Sequence, residues 1–135
     1  MNADFLFEEE KDLIIGSAFA VLNEVDHGYH EEPYENRLTV EFRSRAIPFV
    51  QQPRYPIFYR GVQISEFVPD LIVFEKIIVD AKVIDRITDQ EIGQGLSYLK
   101  VTGLSVGFIF NFKNSNLEFR RVVATTQKFI WKNNR

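Results

Sequence analysis

Apolar residues at the start of the chain follow a helical repeat. Between residues 8 and 26 they recur at intervals of three and four, which is typical of one face of an amphipathic helix. Gly28 follows directly and is suited to the left-handed conformation that ends many helices. The pattern predicts a first helix over residues 8–26.

A second helical pattern follows after a short break. Tyr34, Leu38 and Phe42 repeat every four residues and define one apolar stripe. Pro33 is tolerated in a first turn, whereas Pro48 disfavours helical geometry at the residue before it. We therefore expect a second helix that begins near Pro33 and ends before Pro48.

From residue 49 onward the apolar pattern becomes that of strands. Residues 49–84 are rich in β-branched and aromatic residues, and turn candidates lie at Arg60-Gly61 and at Glu75-Lys76. These features predict three strands joined by short hairpins.

The last third of the chain predicts one helix and two strands. Residues 88–102 return to helical spacing, with Thr88 or Asp89 as the N-cap. Residues 103–112 form a continuous apolar run, as expected of a strand buried on both faces, and residues 117–125 resemble one more strand.

This order of elements predicts an α/β fold of the mixed, α+β kind. The helix between the third and fourth strands permits a parallel crossover, so a central mixed sheet flanked by helices is expected. The chain has 135 residues, of which 45% are hydrophobic, and this is enough for a core of ordinary size. We expect a single domain over residues 1–135, with residues 126–135 as a short tail.

Composition excludes several classes of site. The chain has no cysteine, which rules out disulfides, thiolate metal sites and a cysteine nucleophile, and favours a reducing compartment. Its acidic N-terminus does not resemble a signal peptide, and no run approaches the roughly 20 apolar residues of a membrane span. We expect a cytoplasmic protein that does not enter a membrane. The net charge of −3 provides no overall attraction to nucleic acid.

Three charged residues interrupt the most apolar stretch of the chain. Asp70, Asp80 and Lys82 lie within residues 68–84, which otherwise read as two buried strands. Charged side chains are rarely buried unless they are paired, bound to a metal or used in chemistry. One interpretation is a site where both carboxylates hold Mg²⁺ and the ammonium contacts phosphate or water. The other is a set of salt bridges near a strand end, which would add little stability.

The length of the hairpin loop separates these interpretations. A two-residue turn at Glu75-Lys76 would place Asp70 on the opposite face from Asp80 and Lys82. A shared metal site requires a loop of odd length or a bulge, which would bring Asp70 opposite Asp80. We predict that irregularity.

Further polar residues could contribute to the same site. Gln94 and Tyr98 lie four apart on one face of a predicted helix and could orient a phosphate, and Glu31 could complete a metal shell. Each also fits an ordinary surface or packing role. Basic residues that could contact nucleic acid include Lys100, Arg120 and Arg121, which equally fit a scatter of solvated charges.

The motifs taken together resemble a known group of enzymes. Pro69-Asp70 followed by Asp80-Ala81-Lys82 is similar to the PD-(D/E)xK phosphodiesterase signature, and the order helix, three strands, helix, strand matches the restriction-endonuclease-like core of that superfamily. The spacing of Gln94 and Tyr98 resembles the Q-x-x-x-Y motif of its RecB-like exonuclease branch.

A closer resemblance is to the GxxExxY proteins of that superfamily. Gly28, Glu31 and Tyr34 match the pattern that names this group, and the likeness extends from about Ile14 to Val123. Asp80 stands where the group more often has glutamate. The resemblance implies a nuclease dependent on Mg²⁺ or Mn²⁺. It implies that Asp70 and Asp80 are metal ligands and that Lys82 is the catalytic lysine. It also implies Glu31 as a further helix carboxylate and Gln94 with Tyr98 as an accessory pair.

Three functions compete at this point. The first is a metal-dependent nuclease that cuts nucleic acid, with DNA as the expected substrate. A homodimer is one arrangement that would enlarge its surface for binding a duplex. The second is a catalytically silent module of the same fold that binds nucleic acid or a protein. The third is a structural domain, in which Asp70, Asp80 and Lys82 would be held in protein salt bridges.

Overall fold

The computed structural model describes residues 7–24 and 31–124, in which three helices and seven strands form. The elements are α1 Glu8–Glu24, α2 Glu31–Ser44, β1 Phe49–Gln51, β2 Tyr55–Tyr59, β3 Val62–Phe67, β4 Leu71–Val73, β5 Ile77–Lys82, α3 Asp89–Thr102, β6 Val106–Asn111 and β7 Glu118–Val123. The three predicted helices are confirmed. The expected cap at Gly28 and the expected tail at 126–135 lie outside the described residues.

Five strands form a central mixed sheet in the order β1-β4-β5-β6-β7. Neighbouring strands are antiparallel except β5 and β6, which are parallel and are connected through α3. The predicted mixed sheet is therefore confirmed. A helical crossover is what a parallel connection between adjacent strands requires.

Each face of this sheet has its own hydrophobic core. On one face, α1 and α2 cover Ile77, Val79 and Ala81 of β5. On the other face, α3 covers Ile78 of the same strand together with Ile109 of β6. Because successive side chains of a strand point to opposite faces, β5 is covered on both sides, and Asp80 within it is buried.

The helices form where their local signals predict them. Tyr34, Leu38 and Phe42 of α2 are fully buried, and the Tyr34 ring stacks on Phe112 with ring centroids 4.9 Å apart. Helix α3 begins at the N-cap Thr88, whose side chain and that of Glu91 form a capping box. It ends at Gly103, which has a left-handed backbone with φ of 75°.

The prediction of three strands over residues 49–84 is wrong in two respects. Phe49–Gln51 forms an additional edge strand, β1, which pairs with β4. The predicted middle strand is divided at Pro69: β3 pairs with β2 in a separate two-stranded ribbon, whereas β4 enters the central sheet. The predicted turn at Arg60-Gly61 joins β2 and β3, and both of its residues have positive φ, as in the two-residue turns that suit hairpins. Since proline lacks a backbone N–H, it interrupts a ladder at this point.

No helix within residues 7–24 and 31–124 is both long enough and apolar enough to cross a membrane.

Helix α3 packs closely against the sheet at one glycine, which allows a matched test. A Cβ at Gly95 would lie 3.2 Å from Val122 Cγ2, whereas a Cβ at Gly93 would meet no atom within 4 Å. Gly93→Ala should therefore stabilise the protein by about 0.5–1 kcal/mol through helix propensity. Gly95→Ala should gain less than this or lose stability, because Val122 must move. Urea unfolding of both variants measures the difference, and equal gains would show that α3 is loosely packed.

Candidate active site at the hairpin between β4 and β5

The hairpin that joins β4 to β5 has a loop of three residues. Leu71 pairs with Val79 and Val73 with Ile77, which leaves Phe74, Glu75 and Lys76 in the loop. Phe74 and Glu75 have positive φ values of 57° and 63°, an arrangement that non-glycine residues adopt rarely. The predicted loop of odd length is thus confirmed.

This register brings Asp70 opposite Asp80 on the face of the sheet that α3 covers. The Asp70 backbone N–H donates to Asp80 Oδ1 at 3.2 Å, and the Ala81 N–H donates to Asp70 Oδ2 at 2.8 Å. Each carboxylate is therefore held by a backbone donor of the neighbouring strand. One oxygen of each side chain lies outside these two bonds and can bind a further group.

A third carboxylate, that of Glu35 on α2, belongs to the same cluster. It is only 4% exposed, and it hydrogen-bonds to the side chain of Asp70. Gln51 and Gln52, at the end of β1, donate to Glu35 Oε2 at 2.6 and 3.1 Å. These amide donors fix the carboxylate beside Asp70.

Glu35 is not among the site residues predicted from the sequence, although a signal for it exists. Glu35 stands three, four and seven residues before Leu38, Thr39 and Phe42, all of which are buried. Positions with this spacing share one face of a helix, so a charged residue there faces the core. Glu31, the predicted helix carboxylate, begins α2 one turn earlier, and its side chain lies outside the described residues.

Burial raises the pKa values of both aspartates, and neighbouring negative charges add to the rise. The pKa of Asp70 rises to about 7, mainly because of burial and next because of the negative charge of Asp80. The hydrogen bond from the Ala81 N–H opposes this rise. Burial also raises the pKa of Asp80, although the bond from the Asp70 N–H and the charge of Lys82 oppose the rise. The charge of Glu35 adds to both shifts. A pair of carboxylates held this way retains a proton near neutral pH unless a cation is supplied.

Lys82, Gln94 and Tyr98 surround the carboxylates from β5 and α3. Lys82 lies two residues after Asp80, and its Nζ donates to Gln94 Oε1 at 3.3 Å. The pKa of the Tyr98 hydroxyl is raised by burial and by the charges of Asp80 and Asp70, against a hydrogen bond with Gln94. This hydroxyl therefore stays protonated and can donate. The structure brings all three together with Asp70 and Asp80.

The predicted basic residues do not line this cleft. Arg121 lies on the face that α1 covers and pairs with Glu8 at 3.7 Å, because its partner in the sheet is Phe108 of that core. Lys100 is exposed on α3, about 200° around the helix from Tyr98 at 100° per residue. Arg120 shares the face of Asp80, but it lies two strands away and is exposed.

Salt bridges do not account for the charged cluster. Of the ion pairs formed among the described residues, none includes Asp70, Asp80 or Lys82. The same residues contain no group of three or more histidine, cysteine, aspartate or glutamate side chains that could hold a metal ion. Two carboxylates on adjacent strands still suit Mg²⁺ or Mn²⁺. Mg²⁺ is usually bound through one or two carboxylates, with water and substrate phosphate completing its shell.

Comparison with known proteins identifies the family and the fold. A family model described as the PD-(D/E)XK nuclease superfamily matches residues 8–122. The crystal structure of an alkaline exonuclease from Laribacter hongkongensis superposes with a TM-score of 0.55 and 8% sequence identity, covering 99% of this chain and 77% of the exonuclease. No curated protein matches the chain significantly by sequence. The match to the exonuclease shows a shared fold.

The raised pKa of Asp70 predicts how stability depends on pH. Because the folded pKa of about 7 exceeds the ordinary value of 3.8, the folded state holds the extra proton between these values. The associated stability is complete below the unfolded pKa and is lost as pH rises through about 7. Asp70→Asn should therefore melt several degrees higher than the wild type at pH 8 in EDTA, and the difference should shrink as pH falls until the two converge below about pH 4. Thermal melts across this range test the expectation, and a constant difference between the proteins would contradict it.

Proposed function

The chain belongs to the PD-(D/E)XK nuclease superfamily, and we propose that it is a metal-dependent nuclease whose active site is the β4–β5 hairpin. The observation that carries this proposal is the pairing of buried Asp80 with half-buried Asp70, two carboxylates that no ion pair among the described residues neutralises. Burial of such a pair is costly, so its retention argues for use of its negative charge. The fold shared with an alkaline exonuclease supports the same reaction class.

Asp70 and Asp80 would hold Mg²⁺ or Mn²⁺ through their remaining oxygens. Such an ion supplies charge neutralisation at the phosphate and a lowered pKa for a bound water. The aspartates would bind as a pair of anions, which requires loss of the proton that Asp70 retains near neutral pH.

Lys82 would position the attacking water or stabilise charge that develops on the phosphate oxygens. Its ammonium shares the face of Asp80 and is oriented by Gln94. A preorganised cation at this place stabilises the transition state more than the ground state, because negative charge accumulates there during attack. Tyr98, as a protonated hydroxyl, would donate to a non-bridging phosphate oxygen.

Glu35 would act as the third acidic group of the site. Its position beside Asp70 and its two amide donors suit a carboxylate that accepts a proton from water. We assign this role to Glu35 on its described contacts, and Glu31 remains the residue that the resemblance favours.

We further assign the chain to the GxxExxY group of the superfamily, on the spacing of Gly28, Glu31 and Tyr34. Tyr34 is a buried core residue, so its part in that pattern is to pack α2 against the sheet. DNA is the proposed substrate, and the absence of cysteine supports a cytoplasmic location.

Two substitutions should separate metal binding from chemistry. Asp80→Asn removes a ligand, so calorimetry should show loss of Mn²⁺ binding at millimolar concentration together with loss of DNA cleavage. Lys82→Met should retain Mn²⁺ binding but lower the cleavage rate by about 10²–10³-fold, because only transition-state stabilisation is removed. Glu35→Gln should also reduce cleavage.

Asp12→Asn is the matched control, since Asp12 is an exposed aspartate on α1 that belongs to neither core. It should bind Mn²⁺ and cut DNA as the wild type does. If the wild type binds no Mn²⁺ at millimolar concentration, the enzyme proposal fails, and the fold serves as a binding module.

A further inference from the structure

The ribbon formed by β2 and β3 carries exposed apolar side chains that the central sheet does not use. Phe58, Tyr59, Val62 and Ile64 are each about 60% exposed, which is unusual for large hydrophobic residues within thirteen consecutive positions. The ribbon forms a sheet separate from the central one and has a regular two-residue turn at its tip. Its residues therefore require an explanation other than the core.

An aromatic contact joins the base of this ribbon to the candidate active site. Phe67, at the end of β3, stacks on Tyr98 of the site with ring centroids 3.7 Å apart. Tyr55, which pairs with Phe67 across the ribbon, lies beside it with centroids 6.4 Å apart. The base of the ribbon therefore lies directly against the candidate active site.

The two exposed aromatic residues of β2 lie on opposite faces of the ribbon. The ribbon has a bulge between Ile57 and Phe58, but its extra residue, Ile64, lies on β3. Side chains therefore alternate along β2, so Tyr59 shares the face of Tyr55, which is the face directed at Tyr98, whereas Phe58 occupies the other face. At about 3.3 Å per residue, Tyr59 lies about 13 Å beyond Tyr55. This distance corresponds to roughly four stacked nucleotides at 3.4 Å each.

The tip of the ribbon is positively charged. Arg60 donates to the Tyr59 hydroxyl at 3.1 Å, and its guanidinium lies 5.3 Å from the centre of the Tyr59 ring. Glu66, the acidic residue of the ribbon, pairs with Arg54 and is thereby neutralised. The ribbon therefore presents an aromatic ring and a cation together, on a protein whose net charge is negative.

We propose that the Tyr59 face of the ribbon binds unpaired nucleotides of a nucleic-acid strand and guides them to the hairpin carboxylates. Aromatic rings on a protruding ribbon can stack on base faces only where the bases are not already stacked in a duplex, and an arginine beside the ring can contact phosphate. This inference rests on the proposed nuclease function and narrows its substrate to single strands or frayed ends.

Binding without turnover tests the ribbon separately from the chemistry. The probe is a 12-nucleotide single-stranded DNA that carries 2-aminopurine, titrated in EDTA so that no cleavage occurs. Tyr59→Ala should weaken binding by about tenfold, as expected for loss of one base stack, and Tyr59→Trp should restore it. Arg60→Gln should reduce the salt dependence by about one phosphate contact.

Phe58→Ala is the matched control, because Phe58 is a neighbouring aromatic residue of equal exposure on the opposite face. It should bind the oligonucleotide within twofold of the wild type. A blunt duplex of the same sequence should bind the wild type and Tyr59→Ala with equal affinity. The inference is overturned if both aromatic variants behave alike, or if Tyr59→Ala leaves single-strand binding unchanged.

The ribbon and the nuclease proposal fail in different ways. If the wild type neither binds Mn²⁺ nor cuts DNA, but Tyr59→Ala weakens oligonucleotide binding, this inference holds and the enzyme proposal fails. If the enzyme is active and Tyr59→Ala leaves its KM for single-stranded DNA unchanged, the inference about the ribbon is overturned and the enzyme proposal holds. Sedimentation could show that Tyr59→Ala converts a dimer to a monomer while the affinity for the oligonucleotide per protomer is unchanged. That result would assign the ribbon to self-association and would also overturn the inference.

Discussion

The carboxylates of Asp70 and Asp80 lie side by side in a hairpin where water is largely excluded. Each accepts a hydrogen bond from the backbone of the other strand, so the bonds that hold the acids also hold the hairpin. Repulsion and burial push their pKa values upward, and Asp70 reaches about 7. The backbone thus holds the two carboxylates in place, although burial and neighbouring negative charge disfavour their ionised forms. A cation bound beside them would stabilise the folded protein most under this condition.

This arrangement depends on the length of one loop. Three residues between β4 and β5 place Asp70 and Asp80 on the same face, whereas a loop of two would turn one of them away. Phe74 and Glu75 adopt positive φ to make that loop, a conformation that costs free energy for residues with a Cβ. The two cores on either side of β5 fix the register and so hold the strained loop in place.

Helix α3 links the chemistry to the rest of the molecule. Its capped first turn and its close approach at Gly95 set its position on the sheet. From that position Gln94 accepts a hydrogen bond from Lys82. Tyr98 stacks on Phe67 at the base of the ribbon, and the charges of both aspartates raise the pKa of its hydroxyl. Changes in the seating of α3 should therefore affect the lysine and the ribbon together.

The sequence by itself determined the elements whose signals are local. The stripe of Tyr34, Leu38 and Phe42, the capping box at Thr88 and the apolar run of β6 all lie within a few turns or one strand, where periodicity and capping decide the outcome. The residues that the short motifs single out, which are Asp70, Asp80, Lys82, Gln94 and Tyr98, lie close together in the structure.

Only the tertiary structure decided which distant segments meet. Glu35 reaches the site because Gln51 and Gln52, sixteen and seventeen residues away, hold it beside Asp70. Residues 62–67 and 71–73 have the same β-prone composition, yet only the second group enters the central sheet. Arg121 faces away from the cleft because of its register with Phe108. Local pattern specifies which side chains are buried, but pairing between strands and packing between layers specify their neighbours, and these are properties of the assembled chain.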